Sequence, residues 1–93
     1  MTLAFPNASR SYDEGARRVR FWGHDGMTEV PFAIEFAALE GLEPLLVQTE
    51  PNALKAFDTW RERIQRVAHQ VYSRQRRGVQ VLAASDFQGR SAR

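Results

Sequence analysis

Between residues 54 and 72 the side chains Leu54, Phe57, Trp60, Ile64, Val67, Ala68, Val71 and Tyr72 recur at i, i+3, i+4 and i+7 spacing. That is the pattern of a helix with one apolar stripe, and such a stripe has to be laid against another layer. Pro51 suits a first helical turn and Gly78 a C-terminal cap, so the spacing predicts one long helix over residues 51–77. At ~1.5 Å per residue that helix is about 40 Å long. A compact domain of this size has a radius of gyration near ~12 Å, or ~32 Å across. The stripe stops at Tyr72, so the excess is expected to overhang there, with Arg74, Arg76 and Arg77 standing in solvent.

The layer beneath the stripe is read from a second period. Val19 and Phe21 alternate with Arg18, Arg20 and Trp22, and beyond Asp25-Gly26 the set Val30, Phe32 and Ile34 alternates with Glu29, Pro31 and Ala33. Period two means strands, and Asp-Gly is a favoured centre for a type I′ turn, so a β-hairpin is predicted at residues 17–35. With Asp25-Gly26 at the turn, Phe21 faces Val30 and Val19 faces Phe32, which places the apolar residues of both strands on one face. Pro31 then faces Arg20 and marks the expected irregularity. Val79, Val81 and Ala83 alternate with Gln80 and Leu82 in a final strand near 79–84, and residues 1–12 read as a short edge strand running into a loop. Residues 36–39 turn into a short helix ending at Gly41, and no decisive pattern follows until the long stripe. The expected fold is α+β, a small antiparallel sheet of three to four strands packed on one long C-terminal helix. Residues 1–93 are expected to form one domain, with an ordered core over about 3–87 and a flexible tail at 88–93.

Composition excludes several chemistries. Cysteine is absent, which removes disulfides and thiolate metal sites. No secretory leader and no apolar run of membrane-spanning length is visible, so the expected location is the cytoplasm, with no membrane partner. Neither histidine, His24 or His69, has a partner at metal-ligand spacing, and no serine lies in a nucleophile-elbow setting. Lys55, the sole lysine, belongs to no phosphate-binding loop. No catalytic, cofactor-binding or metal residue is assigned, and no cofactor is expected.

Many dispersed residues carry a resemblance. Tyr12-Asp13, the run from Val19 to Asp25, Glu29-Val30-Pro31-Phe32, Leu54, Ala56-Phe57-Asp58, Arg61, Ile64, Ala68, Tyr72 and Ala84-Ser85-Asp86-Phe87 resemble the small bacterial family called domain of unknown function 1488. The resemblance covers about residues 3–87. It implies a stand-alone α+β fold in which a few antiparallel strands pack on a long helix, and it brings no catalytic residues. Within it, Ser85-Asp86-Phe87 reads as a turn that tucks Phe87 into the core.

What remains is surface. Arg18, Arg20 and Trp22 are expected to project from the sheet face opposite Val19 and Phe21, and Trp and Arg are the types most enriched at interface hot spots. Charge is unevenly spread along the chain, with an acidic middle between Asp25 and Asp58 and an arginine-rich end. The candidate interaction surface is therefore Arg18, Arg20, Trp22, Arg74, Arg76 and Arg77. The expected function is a non-catalytic protein-interaction domain that self-associates, as a two-fold homodimer, with any other protein partner unknown. The alternative is weak nucleic-acid binding through the arginine-rich end of the long helix.

Overall fold

A computed structural model describes residues 3–75 and 78–88. The chain forms five strands, three α-helices and one 3₁₀ turn in the order β1 (Leu3–Ala4), β2 (Arg10–Asp13), β3 (Arg18–Asp25), β4 (Thr28–Glu35), α1 (Phe36–Leu42), α2 (Glu50–Thr59), α3 (Arg61–Arg74), β5 (Gln80–Leu82) and the 3₁₀ turn Ala84–Phe87. The predicted tail beyond Gln88 lies outside the described residues.

The hairpin forms where alternation places it, but its register differs from the expected one by two residues. Phe21 pairs with Phe32, Val19 with Ile34 and Val30 with Gly23, and Asp25 and Thr28 close the hairpin around Gly26-Met27. Gly26 has φ +64° while Met27 stays out of the positive-φ region, the arrangement of a type II′ turn, which takes glycine at its first central position. The type I′ reading of Asp25-Gly26 asked for positive φ at both central residues, and moving the turn by one residue leaves only glycine to meet that demand. A shift of two preserves the face of every side chain, so the apolar set stays together.

Pro31 pairs with Trp22, not Arg20, and the register runs through it without a bulge. The reason is the alternation of an antiparallel ladder. The Phe36 amide donates to the Arg17 carbonyl at 3.0 Å, so pairs whose β3 member is odd-numbered exchange hydrogen bonds and the Trp22–Pro31 pair does not. The missing N–H of Pro31 falls where β3 offers no acceptor.

On the other side of β3, β1 pairs with His24 and Asp25 and β2 with residues 18–21, both antiparallel, so one broken edge strand covers β3. Residues 5–9 loop out between them. β5 joins β4 in parallel, Phe32 beside Gln80 and Ile34 beside Leu82, which corrects the expected all-antiparallel sheet of three to four strands. Three helices intervene between β4 and β5, and a crossover of that length returns the chain in its original direction.

The single long helix is also corrected. Residues 50–74 form two helices that meet at Trp60, whose φ −104° and ψ 17° leave the helical region. Thr59 Oγ1 donates back to the Lys55 carbonyl at 3.0 Å, a bond that bends helices, and the Trp60 indole donates to Glu43 Oε1 at 3.1 Å. These ties hold Trp60 half-buried at the corner instead of along a straight stripe. α2 and α3 span about 15 and 21 Å, and both fit within principal extents of 36 × 33 × 21 Å. The mismatch between helix length and domain size is thus resolved by a break and not by an overhang. At its start α2 is capped by Thr49, whose side chain accepts from the Asn52 amide at 3.3 Å.

One core lies between the sheet and the helices. Val19, Phe21, Phe32 and Ile34 of the sheet meet Ala56, Phe57, Ile64 and Ala68 of the helices, all buried. Its aromatic centre is Phe21 stacked on Phe32 at 5.2 Å, with Phe57 5.0 Å from Phe21. Phe5, in the loop after β1, folds back to 5.5 Å from Phe32. That position depends on Gly23, because a Cβ there would lie 2.9 Å from Phe5 Cε1 and 3.2 Å from the Ala4 carbonyl. At the hairpin end Tyr72 donates to Asp25 Oδ2 at 2.7 Å, tying the tip to α3. Phe87 packs half-buried against the core as anticipated, and Asp86 accepts from the Ala83 amide at 2.8 Å to hold the turn that delivers it.

Candidate interaction surface

The helices contact the sheet through the face carrying Phe21 and Phe32, so the side chains of opposite parity form an outer face that, among the described residues, has no helix against it. Four rungs of β3 and β4 make up its centre: Arg18 beside Glu35, Arg20 beside Ala33, Trp22 beside Pro31 and His24 beside Glu29. Val81 of β5 extends the Ala33 rung and is 36% exposed. Ala33 is fully shielded because it is short and lies between longer neighbours, Arg20 and Val81. Arg20 and Glu29 are exposed, and Trp22, Pro31, His24 and Glu35 are half-buried. Arg18 lies 3.9 Å from Asp13 Oδ2, a long ion pair, and its Nε is shielded with no hydrogen-bond acceptor among the described residues. The face therefore has an apolar stretch, Trp22, Pro31, Ala33 and Val81, with the opposite charges of Arg18 and Glu35 in neighbouring strands at one end and His24 beside Glu29 at the other.

The expected surface residues Arg18, Arg20 and Trp22 share this face. Glu29, Pro31, Glu35 and Val81 complete it and were not singled out from the sequence. The signal for them was present, since the alternation that puts Trp22 outward also puts Pro31 outward.

The family model described as "Protein of unknown function (DUF1488)" matches residues 3–82. The chain belongs to the DUF1488 family. Among solved structures, it is similar to a protein of unknown function from the DUF1488 family of Shewanella loihica PV-4, determined by crystallography at 1.60 Å resolution. The two share 17% identity, with a TM-score of 0.75 over 89% of this chain and 93% of that one. A likeness at that identity speaks for the fold. No match was found among curated proteins.

Of the remaining candidate residues of this DUF1488 chain, Arg74 lies on α3 and does not join the outer face. α3 ends at Arg74, whose side chain stands in solvent as expected, 66% exposed, while its Nη2 pairs with Asp86 Oδ1 at 3.2 Å on the helix side of the sheet. Arg76 and Arg77 lie outside the described residues. The helix side carries a stronger ion-pair cluster. Arg10 grips Asp58 through Nε at 2.9 Å and Nη2 at 2.7 Å, and Arg61 reaches the same carboxylate at 2.7 Å. The hydrogen bond from Arg10 is the largest influence on the Asp58 carboxyl; joined by the Arg10 charge and by Arg61 it outweighs the opposing effect of burial and holds the group below the usual carboxylate range. The cluster fastens β2 to the corner between α2 and α3.

His24 sits on the outer face, and His69 is exposed on α3 with its ring edge-on to Phe5 at 5.7 Å. A cleft of about 560 Å³ beside Trp60, Arg63 and Arg66, and one of about 300 Å³ beside Pro31, Tyr72 and Gln80, contain neither histidine. Among the described residues no three His, Asp or Glu side chains converge to hold a metal, and no helix is long and apolar enough to cross a membrane.

Proposed function

We propose that this chain is a non-catalytic protein-interaction domain that self-associates through the outer face of its sheet. The observation that carries this reading is the four-rung face itself, with Trp22 and Pro31 at its centre and no helix among the described residues against it. A sheet normally buries one face and wets the other with polar side chains, whereas here a Trp, a Pro, an Ala and a Val interrupt the polar row. Aromatic and arginine side chains in that setting are the usual anchors of protein contacts. The absence of cysteine supports placing the domain in the cytoplasm, and the Shewanella relative supports a bacterial origin.

Nucleic-acid binding is the second reading, and it has less behind it. Of the three arginines that motivated it, Arg74 is already paired with Asp86. Sedimentation of the chain from about 10 µM to 1 mM, a range that brackets weak association, tests the first reading. Mass should rise above 10.6 kDa with concentration, and Trp22→Ala should push that rise to higher concentration. A chain that stays monomeric throughout overturns the proposal. Filter binding that finds tight, salt-steep capture of DNA or RNA, lost in the Arg74→Ala, Arg76→Ala, Arg77→Ala variant, would put the second reading in its place.

A further inference from the structure

We infer that the partner on the outer face is a second copy of this chain, related by a two-fold axis that runs parallel to the strands and midway between β3 and β4. The inference rests on the reading that this face is the contact surface, and the arrangement of charges selects the axis. Packed sheets keep their strands within about 30° of one another in the aligned mode. An axis along the strands keeps every rung at its own level. Placed midway between β3 and β4, it lays the β3 row, Arg18, Arg20, Trp22 and His24, over the partner's β4 row, Glu35, Ala33, Pro31 and Glu29.

Each end of the contact is then complementary. Arg18 faces the partner's Glu35 and Glu35 faces the partner's Arg18, which makes an alternating quartet at one end. His24 faces the partner's Glu29 at the other. Trp22 lies on the partner's Pro31, and Arg20 spans the partner's Ala33, whose short side chain leaves room for it. Other axes do worse. Moved onto β3, the axis stacks Arg18 on the partner's Arg18. Moved onto β4, it stacks Glu35 on the partner's Glu35. An axis across the strands, through the middle of the face, puts Glu35 on the partner's Glu29. Like charges brought together in an interface oppose association, so one placement of the axis is favoured.

The size of the contact is adequate for a weak dimer. The five strands hold 2, 4, 8, 8 and 3 residues, and at about 3.3 Å by about 4.8 Å per residue they give a face of roughly 400 Å² per copy, or about 800 Å² in all. That is the size of a weak, transient contact and not of a tight dimer.

The test uses two self-repelling variants of the full chain. Arg18→Glu alone sets carboxylate against carboxylate at both symmetric positions, and Glu35→Arg alone sets guanidinium against guanidinium. Each should weaken self-association by about tenfold or more, the change that corresponds to ~1.4 kcal/mol. Mixed in equal amounts, the two variants should associate with each other nearly as well as the wild-type chain with itself, because every position in the mixed dimer carries opposite charges again. Each variant is first checked for wild-type thermal unfolding. If either is destabilised, His24→Glu tests the other end: alone it sets carboxylate against the partner's Glu29 and should weaken association, and mixed with Glu29→Arg it should recover it. Loss of association that mixing does not restore overturns the proposed axis, and if Trp22→Ala still weakens the dimer the broader reading of the face stands. Unchanged association in both single variants also overturns the axis. A monomer at all concentrations overturns both.

Discussion

The two faces of the β3–β4 hairpin share one backbone and one register, yet they answer to different rules. On the inner face Val19, Phe21, Phe32 and Ile34 are buried at 2% exposure or less, and Phe21 and Phe32 stack face to face. There the side chains are locked by neighbours on all sides, and volume is the property that counts. On the outer face Arg18, Arg20, Trp22 and His24 stand beside Glu35, Ala33, Pro31 and Glu29, and charge pattern replaces volume. The inner face specifies a fold. The outer face, by the proposal above, specifies a partner.

The comparison is tested hardest on the inner side. Phe32→Ala or Ile64→Ala removes a fully buried side chain at the centre of the core and should cost about 2–5 kcal/mol in chemical denaturation. Against a total of roughly 5–15 kcal/mol for a domain, that leaves a marginal fold. An unchanged unfolding midpoint in either variant would break the assignment of this face as the core.

Next in size is Gly23, the one place on the inner face where the absence of a side chain is required. Gly23→Ala should cost about 1–3 kcal/mol because the new methyl meets Phe5, Leu3 and the Ala4 carbonyl. In a Phe5→Ala background the cost should shrink, since the closest of those contacts is gone. A double-mutant cycle measures the coupling, and strict additivity would show that Phe5 does not lie over Gly23.

A smaller effect is expected from the Asp58 cluster. Its carboxyl titrates lower in the folded chain than in the unfolded one, so its contribution is complete at neutral pH and is lost as pH falls below about 4 through the depressed value. The Arg10 and Asp58 side chains are 31% and 43% exposed, and solvent screening keeps such a contribution to about 0.2–1 kcal/mol. Asp58→Asn should therefore unfold slightly earlier than wild type at pH 7 and at the same denaturant concentration near pH 2. A difference that persists in acid would mean that Asp58 acts by packing and not by charge.

The smallest effect on folding belongs to the outer face. Arg20→Ala should change stability by no more than about 0.5 kcal/mol, as for most surface substitutions. A loss of several kcal/mol would erase the distinction between the two faces.

Much of this was legible in the sequence because it depends on period alone. Alternation around Asp25-Gly26 determined that a hairpin forms and which side chains share a face, and the stripe from Leu54 to Tyr72 determined that helix covers it. The short helix after Glu35 and the strand near Val81 followed from the same kind of local pattern. β2 did not, because Arg10, Ser11, Tyr12 and Asp13 have no apolar alternation and become a strand only by lying against the edge of β3. Register was decided by backbone conformation at the turn, where only Gly26 takes positive φ. The break at Trp60 was decided by domain size and by the bond from its indole to Glu43, a residue 17 positions away. The parallel entry of β5 followed from where the crossover delivers the chain. The outer face was half legible: periodicity puts Arg18, Arg20 and Trp22 together, but only strand pairing sets Glu35 beside Arg18 and Pro31 beside Trp22. Local sequence determines which way each side chain points, because that depends on bonds a few residues long. Which side chains then meet depends on contacts between distant segments, and those exist only in the folded chain.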